Sequence, residues 1–250
     1  MPARVIRIRS VDTDPVVFPQ RTLDRPLSDA ERFAKAATVV TKLYSEHLAA
    51  GTPLVAKTSW IRFIPADTPD TVTYAAGAGD ASLGLGEVHE VPFDAAVLGL
   101  ADRERRLAIL DWLQQHMLGL ARALGWERQP IVDAYRACRR DECRLHRRGP
   151  SKARPGRRFT AHAEYEIDGD GDAWSWVVVT GATGEVAAVS RRHDSPATLT
   201  AAARVLRSVR WDGDAVTWTP WTDDVDPPGQ RWVGRVERFV IDAHQGPARL

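Results

Sequence analysis

The chain has 250 residues, a formal net charge of +1 at pH 7, 44% hydrophobic residues and 27% charged residues. These values are typical of a globular protein, and they exclude a disordered or fibrous chain. Because the total charge is close to zero, the chain as a whole gives no indication of a polyanionic partner. Nine tryptophans supply enough large apolar surface for a core that needs no disulfide bonds.

The cellular location is predicted from the small number of cysteines and from the lack of long apolar runs. Two cysteines, Cys138 and Cys143, favour a reducing compartment, since small secreted proteins use many more. The first residues, MPARVIRIRSVDTD, hold no apolar run like that of a signal peptide. No window approaches the roughly 20 apolar residues of a membrane helix. We therefore expect a cytoplasmic protein with no membrane partner.

The N-terminal elements begin with a short strand over residues 4–9. Ser28 and Glu31 then form the pattern of a capping box, with a hydroxyl at the helix N-cap and a carboxylate three residues later. Apolar residues recur behind it at three- and four-residue steps, and Gly51 stands where a helix end is expected. This pattern predicts one long N-terminal helix over residues 28–50.

Three strands are predicted next, over residues 54–64, 71–76 and 83–91. The connections between them are short, which favours an antiparallel meander. A stripe of apolar residues then predicts a helix over 102–124, closed by Gly125. A second helix is expected from Pro130 to about Leu145, and the two helices form a predicted hairpin.

The C-terminal third is predicted to be β-rich with one helix. Strands are expected over residues 158–167, 174–180, 185–190, 215–221 and 231–241, and a helix over 195–209. Residues 147–158 hold two glycines and two prolines, which mark a boundary. We therefore predict an α+β protein with an α+β part over 1–148, a basic linker over 149–158 and a β-rich part over 159–250.

The sequence DGDGD at residues 168–172 resembles part of a calcium-binding loop. Such a loop needs a bidentate carboxylate at its twelfth position, which here is Val177 or Val179, depending on the register. The flanking residues alternate like strands, whereas a calcium loop of this type lies between helices. We interpret the segment as a turn between two strands, and we predict no metal or cofactor.

Other candidate motifs are incomplete. The segment GAGDASLGLG at 77–86 lacks the lysine of a phosphate-binding loop, and we expect a flexible hairpin loop there. Cys138, Cys143 and His146 offer only part of a zinc site. Glu87 and His89 are two residues apart on a predicted strand and could serve as an acid–base pair. A strand with one solvent-facing side would also display such residues without a catalytic role.

A basic segment is the strongest functional signal. Residues 136–158 hold ten basic and two acidic residues, a local net charge of +8, which leaves −7 for the rest of the chain. Arginines suit phosphate oxygens, and glycines let the backbone approach them closely. The same residues could instead pair with acidic surface of the chain itself or stabilise a helix end. The predicted anion-binding residues are Arg147, Arg148, Lys152, Arg154, Arg157 and Arg158.

These observations lead to three functional hypotheses. The first is a non-enzymatic binding protein whose basic segment contacts nucleic acid or an acidic protein surface. The second is an enzyme acting on a phosphorylated or nucleic-acid substrate, with the arginines as the clamp. Its candidate acid–base groups or metal ligands are Glu87, His89 or the aspartates of residues 168–172. The third is an assembly module with an exposed tryptophan patch, for which the candidates are Trp218, Trp221 and Trp232. The sequence holds no complete catalytic motif and leaves both the enzyme question and the oligomeric state open.

Overall fold

The computed structural model describes residues 6–13, 25–56, 58–66, 72, 74, 87–156, 158–221 and 235–241. The chain divides into two compact units. The first comprises Met1–Arg144 with Gly169–Gly171, and the second comprises Leu145–Asp168 with Asp172–Leu250. Helices and several antiparallel sheets together confirm the predicted α+β class.

The first unit combines helices with two small sheets. Its strands are β1 (Ile6–Arg7), β2 (Ser10–Asp12), β3 (Val55–Ala56), β4 (Trp60–Pro65) and β5 (Glu87–Val91). Its helices are α1 (Asp29–Ala36), α2 (Thr38–Ala50), α3 (Asp102–Leu124) and α4 (Gln129–Arg140), with a 3₁₀ turn over Ala95–Gly99. β1 pairs with β3, and a three-stranded sheet has the order β2-β4-β5.

The prediction of one long N-terminal helix is wrong, because the helical segment is broken at Ala37 into α1 and α2. The capping box of Ser28 and Glu31 is present as predicted. At the break, the Ala34 carbonyl accepts a hydrogen bond from the hydroxyl of Thr13, which competes with the regular helical bond. The β-branched residues that follow the break crowd the preceding turn and favour a new start there.

The prediction of an antiparallel meander in this part is also wrong. β2 pairs with β4 in parallel, and β4 pairs with β5 in parallel. Parallel neighbours need a crossover connection, and α1 and α2 supply it between β2 and β4. Of the predicted strand 71–76, only Val72 and Tyr74 lie in the described part of the chain, and neither is in a strand.

The predicted helical hairpin is confirmed by α3 and α4, although α4 ends five residues before the predicted Leu145. Gly125 has φ +69° and closes α3 in the left-handed region that glycine tolerates. Tyr44 of α2 is fully buried and donates a hydrogen bond to the Ile131 carbonyl of α4 over 3.1 Å. This bond fixes α2 against the hairpin.

The second unit contains two antiparallel sheets and one helix. Its elements are β6 (Leu145–Arg148), β7 (Lys152–Ala153), β8 (Phe159–Ile167), β9 (Ala173–Gly181), β10 (Val186–Val189), β11 (His193–Ser195), α5 (Leu199–Arg207), β12 (Arg210–Asp212), β13 (Ala215–Trp221) and β14 (Arg235–Val240). One sheet follows the order β10-β9-β8-β6, with β11 on β9 and β7 on β8, and the other has the order β12-β13-β14.

The core of the second unit lies between its strands and α5. It contains Ala161 and Ala163 of β8, Val177 of β9, Val205 of α5 and Trp218 of β13, all at most 2% exposed. The alternation predicted for β8 is therefore confirmed on its apolar side. Parts of the predicted linker 149–158 belong to this unit as β7 and its neighbours. Among the described helices, α3 is the longest, and none is long and apolar enough to cross a membrane.

Candidate functional site

The DGDGD segment joins β8 and β9 as a turn, as predicted from its flanking residues. The Asp168 carboxylate accepts hydrogen bonds from the backbone N–H of Asp172 and the indole N–H of Trp174, each at 2.9 Å. Gly171 adopts φ +84°. The Asp168 carboxylate thus stabilises the hairpin. Within the described part of the chain, no cluster of three or more His, Cys, Asp or Glu side chains is arranged to hold a metal ion.

The predicted anion-binding residues differ in how much of their charge is available. Arg148, Lys152 and Arg158 are exposed, whereas Arg147 is half-buried and donates to the carbonyl of His146 over 3.1 Å. Arg154 forms an ion pair with Asp214, and its guanidinium lies 5.8 Å from the ring centre of Trp211. Arg157 lies outside the described residues. The intramolecular alternative therefore holds for Arg154, whose charge Asp214 compensates.

The segment between β6 and β7 runs beside the C-terminal end of α5. A Cβ atom at Gly149 would lie only 2.3 Å from the Leu206 carbonyl oxygen, so this position requires glycine. The indole of Trp211 donates to the Lys152 carbonyl over 2.7 Å and fixes the other end of the segment. These contacts place Arg148 and Lys152 in the same region of the second unit as the arginines of α5.

An open concavity of about 670 Å³ lies along the outer side of α5. Three of the described residues that line it are arginines and none is acidic; the full set is Leu199, Thr200, Ala203, Arg204, Arg207, Ser208 and Arg210. The positions 200, 203, 204 and 207 follow helical spacing, so α5 buries Ala201, Ala202 and Val205 and presents these side chains outward. The helical spacing of Arg204 and Arg207 could have indicated from the sequence that both lie on the outer face of this helix.

The chemistry of this region is set by guanidinium groups at a helix end. Arg210 donates from Nη1 to the carbonyls of Arg207 and Val209, each over 2.8 Å, which holds its charge beside the C-terminus of α5. A cation is favoured there by the helix dipole. We call Arg148, Lys152, Arg204, Arg207 and Arg210 the basic surface. Two of its residues, Arg148 and Lys152, were predicted from the sequence. The other three, Arg204, Arg207 and Arg210, were not.

A second group of polar residues lies in the first unit, around β5. The burial of β5 alternates so that Glu87, His89 and Val91 face inward, at 6%, 5% and 0% exposure. Of the two alternatives that the sequence left open for Glu87 and His89, the solvent-facing side is therefore contradicted. Their Oε2 and Nε2 atoms are 3.4 Å apart and form a histidine–carboxylate pair, and among the described residues neither atom makes a well-aligned hydrogen bond.

Aromatic residues surround this pair. The ring of His89 lies 5.7 Å from that of Tyr74 and 6.1 Å from that of Phe63. The Tyr74 hydroxyl is hydrogen-bonded to Nδ1 of His116 on α3 over 2.6 Å. Burial lowers the pKa of His116 to about 4 and raises the pKa of Tyr74 to about 12. Because the phenol keeps its proton and the imidazole is neutral, we assign the phenol as the donor.

Burial also lowers the pKa of His89, while the neighbouring Glu87 acts in the opposite direction. Burial thus favours the neutral form of the His89 imidazole, and the Glu87 carboxylate favours the charged form. The sequence had indicated Glu87 and His89, but it gave no sign that Tyr74 and His116 would lie beside them. His116 is 27 positions from His89 along the chain and on a different element.

Three further predicted groups are placed by the structure. Cys138 and Cys143 are buried free thiols, and burial raises the pKa of Cys143 to about 12. Trp218 is 2% exposed in the core of the second unit, so it does not belong to an exposed tryptophan patch. The side chains of Trp221 and Trp232, and the segment 77–86, lie outside the described part of the structure.

No protein-family model, no curated protein and no solved structure matches the chain. Glu87 and His89 belong to the first unit, and the basic surface belongs to the second unit.

Proposed function

We propose that the protein binds an anionic partner through the basic surface of its second unit, as a cytoplasmic binding protein. The concavity along α5 supports this proposal most directly, because Arg204, Arg207 and Arg210 line it and none of its described lining residues is acidic. Arg148 and Lys152 add positive charge from the adjoining segment. Two buried free thiols support a reducing location.

Phosphate groups fit this surface best. A guanidinium presents five N–H donors in a planar fork, which matches phosphate oxygens, and it stays charged at every physiological pH. Because the Arg210 side chain is already held in place, it loses less conformational entropy when it binds a phosphate. The concavity is open to solvent, so it suits a chain of phosphates better than an enclosed small molecule. We therefore propose single-stranded nucleic acid as the partner.

Salt dependence provides the first test. Fluorescence polarisation with labelled DNA and RNA oligonucleotides, at about 50 and about 200 mM salt, measures how many phosphates the protein neutralises. Three to five contacts predict a slope of log affinity against log salt of about −2 to −4 for single strands. A slope near zero, or no binding at the lower salt, would contradict the proposal.

The location of the site is tested by charge reversal. The double variant Arg204→Glu with Arg207→Glu changes two exposed residues of α5 and should lower the affinity by about tenfold or more. Arg122→Glu with Arg136→Glu makes the same change in net charge at exposed positions of the first unit, and it serves as the control. Equal losses in both variants would show that only the total charge matters.

A further inference from the structure

The side of the six-stranded sheet that faces away from its core carries a stack of three planar side chains. The imidazole of His146 on β6 lies parallel to the indole of Trp176 on β9, with 5.7 Å between the ring centres and 8° between the ring planes. The guanidinium of Arg192 lies 4.4 Å from the centre of the same indole. The cross-strand partners of these two rings are Glu166 and Glu164, which alternate along β8 with its core residues. The stack is therefore on the outer side of the sheet.

The His146 end of this stack is open to solvent. The side chain of His146 is 51% exposed, whereas Trp176 is only 8% exposed. One face of the imidazole lies against the indole, so its exposed part includes the opposite face. The Nε2–H group of His146 donates to the Glu164 carboxylate over 2.9 Å, which holds the plane of the ring. The geometry thus presents a fixed aromatic face on which another flat ring can stack.

We propose that His146 stacks against one base of the single-stranded nucleic acid that the basic surface binds. This inference rests on the proposed function and adds base recognition to it. Every nucleobase has a flat π-face, and stacking on an aromatic side chain contributes about 5- to 100-fold in affinity per base. Phosphate chains without bases have no such face. The ring therefore distinguishes single-stranded nucleic acid from other polyanions.

Arg148 lies where it can bind a phosphate of the stacked nucleotide. It is two residues from His146 on β6, so both side chains project to the same side, about 7 Å apart. A base on the imidazole brings the phosphate of its own or the next nucleotide to this arginine. Among the described strands, β6 is at the end of the order β10-β9-β8-β6, and the next residue, Gly149, lies against the Leu206 carbonyl of α5. A flexible single strand can follow this edge from the sheet to α5.

The carboxylates beside the stack are compensated by donors of the same sheet. Glu164 accepts hydrogen bonds from Nε2 of His146 over 2.9 Å and from Nε2 of His162 over 3.1 Å. Glu166 forms an ion pair with Arg192, with 3.2 Å between the oxygen and nitrogen atoms. Both carboxylates therefore help to hold the stack in place, while the exposed face of the imidazole is left for the base.

Two fluorescent probes separate stacking from charge. One is a single strand of about ten thymidines, and the other is an abasic strand with the same number of phosphates. We expect the full-length protein to bind the thymidine strand about 5- to 100-fold more tightly. His146→Ala should remove most of this preference and change the affinity for the abasic strand by less than about twofold. His146→Phe keeps an aromatic ring and should restore most of the preference.

A matched control is available on α4 in the first unit. Tyr135 is a partly exposed aromatic residue, and the guanidinium of Arg139 lies 5.9 Å from the centre of its ring. Tyr135→Ala should leave both affinities unchanged. If both strands bind but His146→Ala does not lower the preference for bases, the stacking role is wrong and anion binding stands. If neither strand binds at low salt, the proposed function fails, and this inference fails with it.

A measurement on the unmodified protein guards against variants that do not fold. The imidazole proton signals of His146 are assigned in the wild-type protein by comparison with His146→Phe and then followed as each strand is added. A base stacked on the ring should move these signals upfield through its ring current, and the abasic strand should not. Unchanged His146 signals at saturating thymidine strand, or equal shifts with both strands, would overturn the proposal.

Discussion

Gly119 of α3 lies so close to Tyr74 that a Cβ atom at position 119 would be 2.5 Å from Cε2 of the tyrosine ring. This contact explains a glycine in the middle of a long helix, where it costs about 1 kcal/mol relative to alanine. The missing side chain leaves room for the ring, and the ring in turn reaches His116. The helix and the residue beside the candidate acid–base pair are therefore coupled through one glycine.

Replacing Gly119 by alanine should displace the ring of Tyr74 and break its hydrogen bond to His116. Overpacking of this kind costs about 1–3 kcal/mol, against about 1 kcal/mol that alanine gains in helix propensity. We expect the free energy of unfolding to fall for Gly119→Ala in urea titrations. In a Tyr74→Ala background the same change should be neutral or stabilising, because the obstacle is gone.

The control for this double-mutant cycle is Gly99→Ala. A Cβ atom at Gly99 would have no heavy atom within 4 Å, so the free energy of unfolding should change by less than about 0.5 kcal/mol. If Gly119→Ala destabilises equally with and without Tyr74, the ring is not what fills this space.

The sequence predicted the elements whose signals are local. The capping box of Ser28, the end of α3 at Gly125 and the apolar side of β8 all depend on residues within one turn or one strand, and each is present. At the break at Ala37, the hydroxyl of Thr13 donates to the Ala34 carbonyl, and a contact from a residue so distant in the chain is not visible in helical periodicity. Parallel pairing of β4 with β5 was missed because the strand pattern does not encode direction.

The candidate sites were predictable in part for the same reason. Arg148 and Lys152 were identified from local charge, but Arg204 and Arg207 come from α5 and Arg210 from the start of β12, about fifty residues later. For Glu87 and His89 the sequence left open an acid–base pair or a solvent-facing side of the strand, where polar residues usually lie. Their burial on the inner side of β5 contradicts this pattern, and such local contradictions are commonly found at functional positions.

Buried histidines should make the folded protein sensitive to acid. The pKa of His116 is about 4 when folded and near 6.5 when unfolded, and burial also lowers the pKa values of His89 and His162. Between these values the unfolded chain binds protons that the folded chain does not, so the free energy of unfolding falls as pH decreases from about 6.5 to about 4. This stability is fully present above pH of about 6.5.

The acid dependence of His116 is measured directly by following its imidazole proton signal in the folded protein, assigned with His116→Gln. As the pH is lowered, the His116 signal of the folded protein should stay constant until the pH reaches about 4. In concentrated urea, the signal should titrate near pH 6.5. A folded-state midpoint near 6.5 would show that the ring is solvated. Urea unfolding curves of His116→Gln should also depend less on pH than those of the wild-type protein.

Arg154 should contribute to the stability of the second unit and little to anion binding. Its charge is paired with Asp214, and its guanidinium packs near Trp211. We expect Arg154→Gln to lower the free energy of unfolding by up to about 1 kcal/mol. In an Asp214→Asn background the same substitution should have a much smaller effect, because the ion pair is already absent. Oligonucleotide affinity should change less than twofold, whereas Arg207→Gln should weaken it severalfold. The opposite order would move the binding site to Arg154.

Cys138 and Cys143 should resist modification as long as the protein is folded. Both thiols are fully buried, and burial raises the pKa of Cys143 to about 12 and that of Cys138 well above its ordinary value. The thiolate is the reactive form, so a chromogenic disulfide reagent at pH 8 should react on the order of 10²-fold more slowly than in urea, since it has to wait for local opening. Full reaction of both thiols in urea provides the reference. Rapid labelling of the folded protein would show that at least one thiol is accessible, and each single Cys→Ser variant would then identify which one.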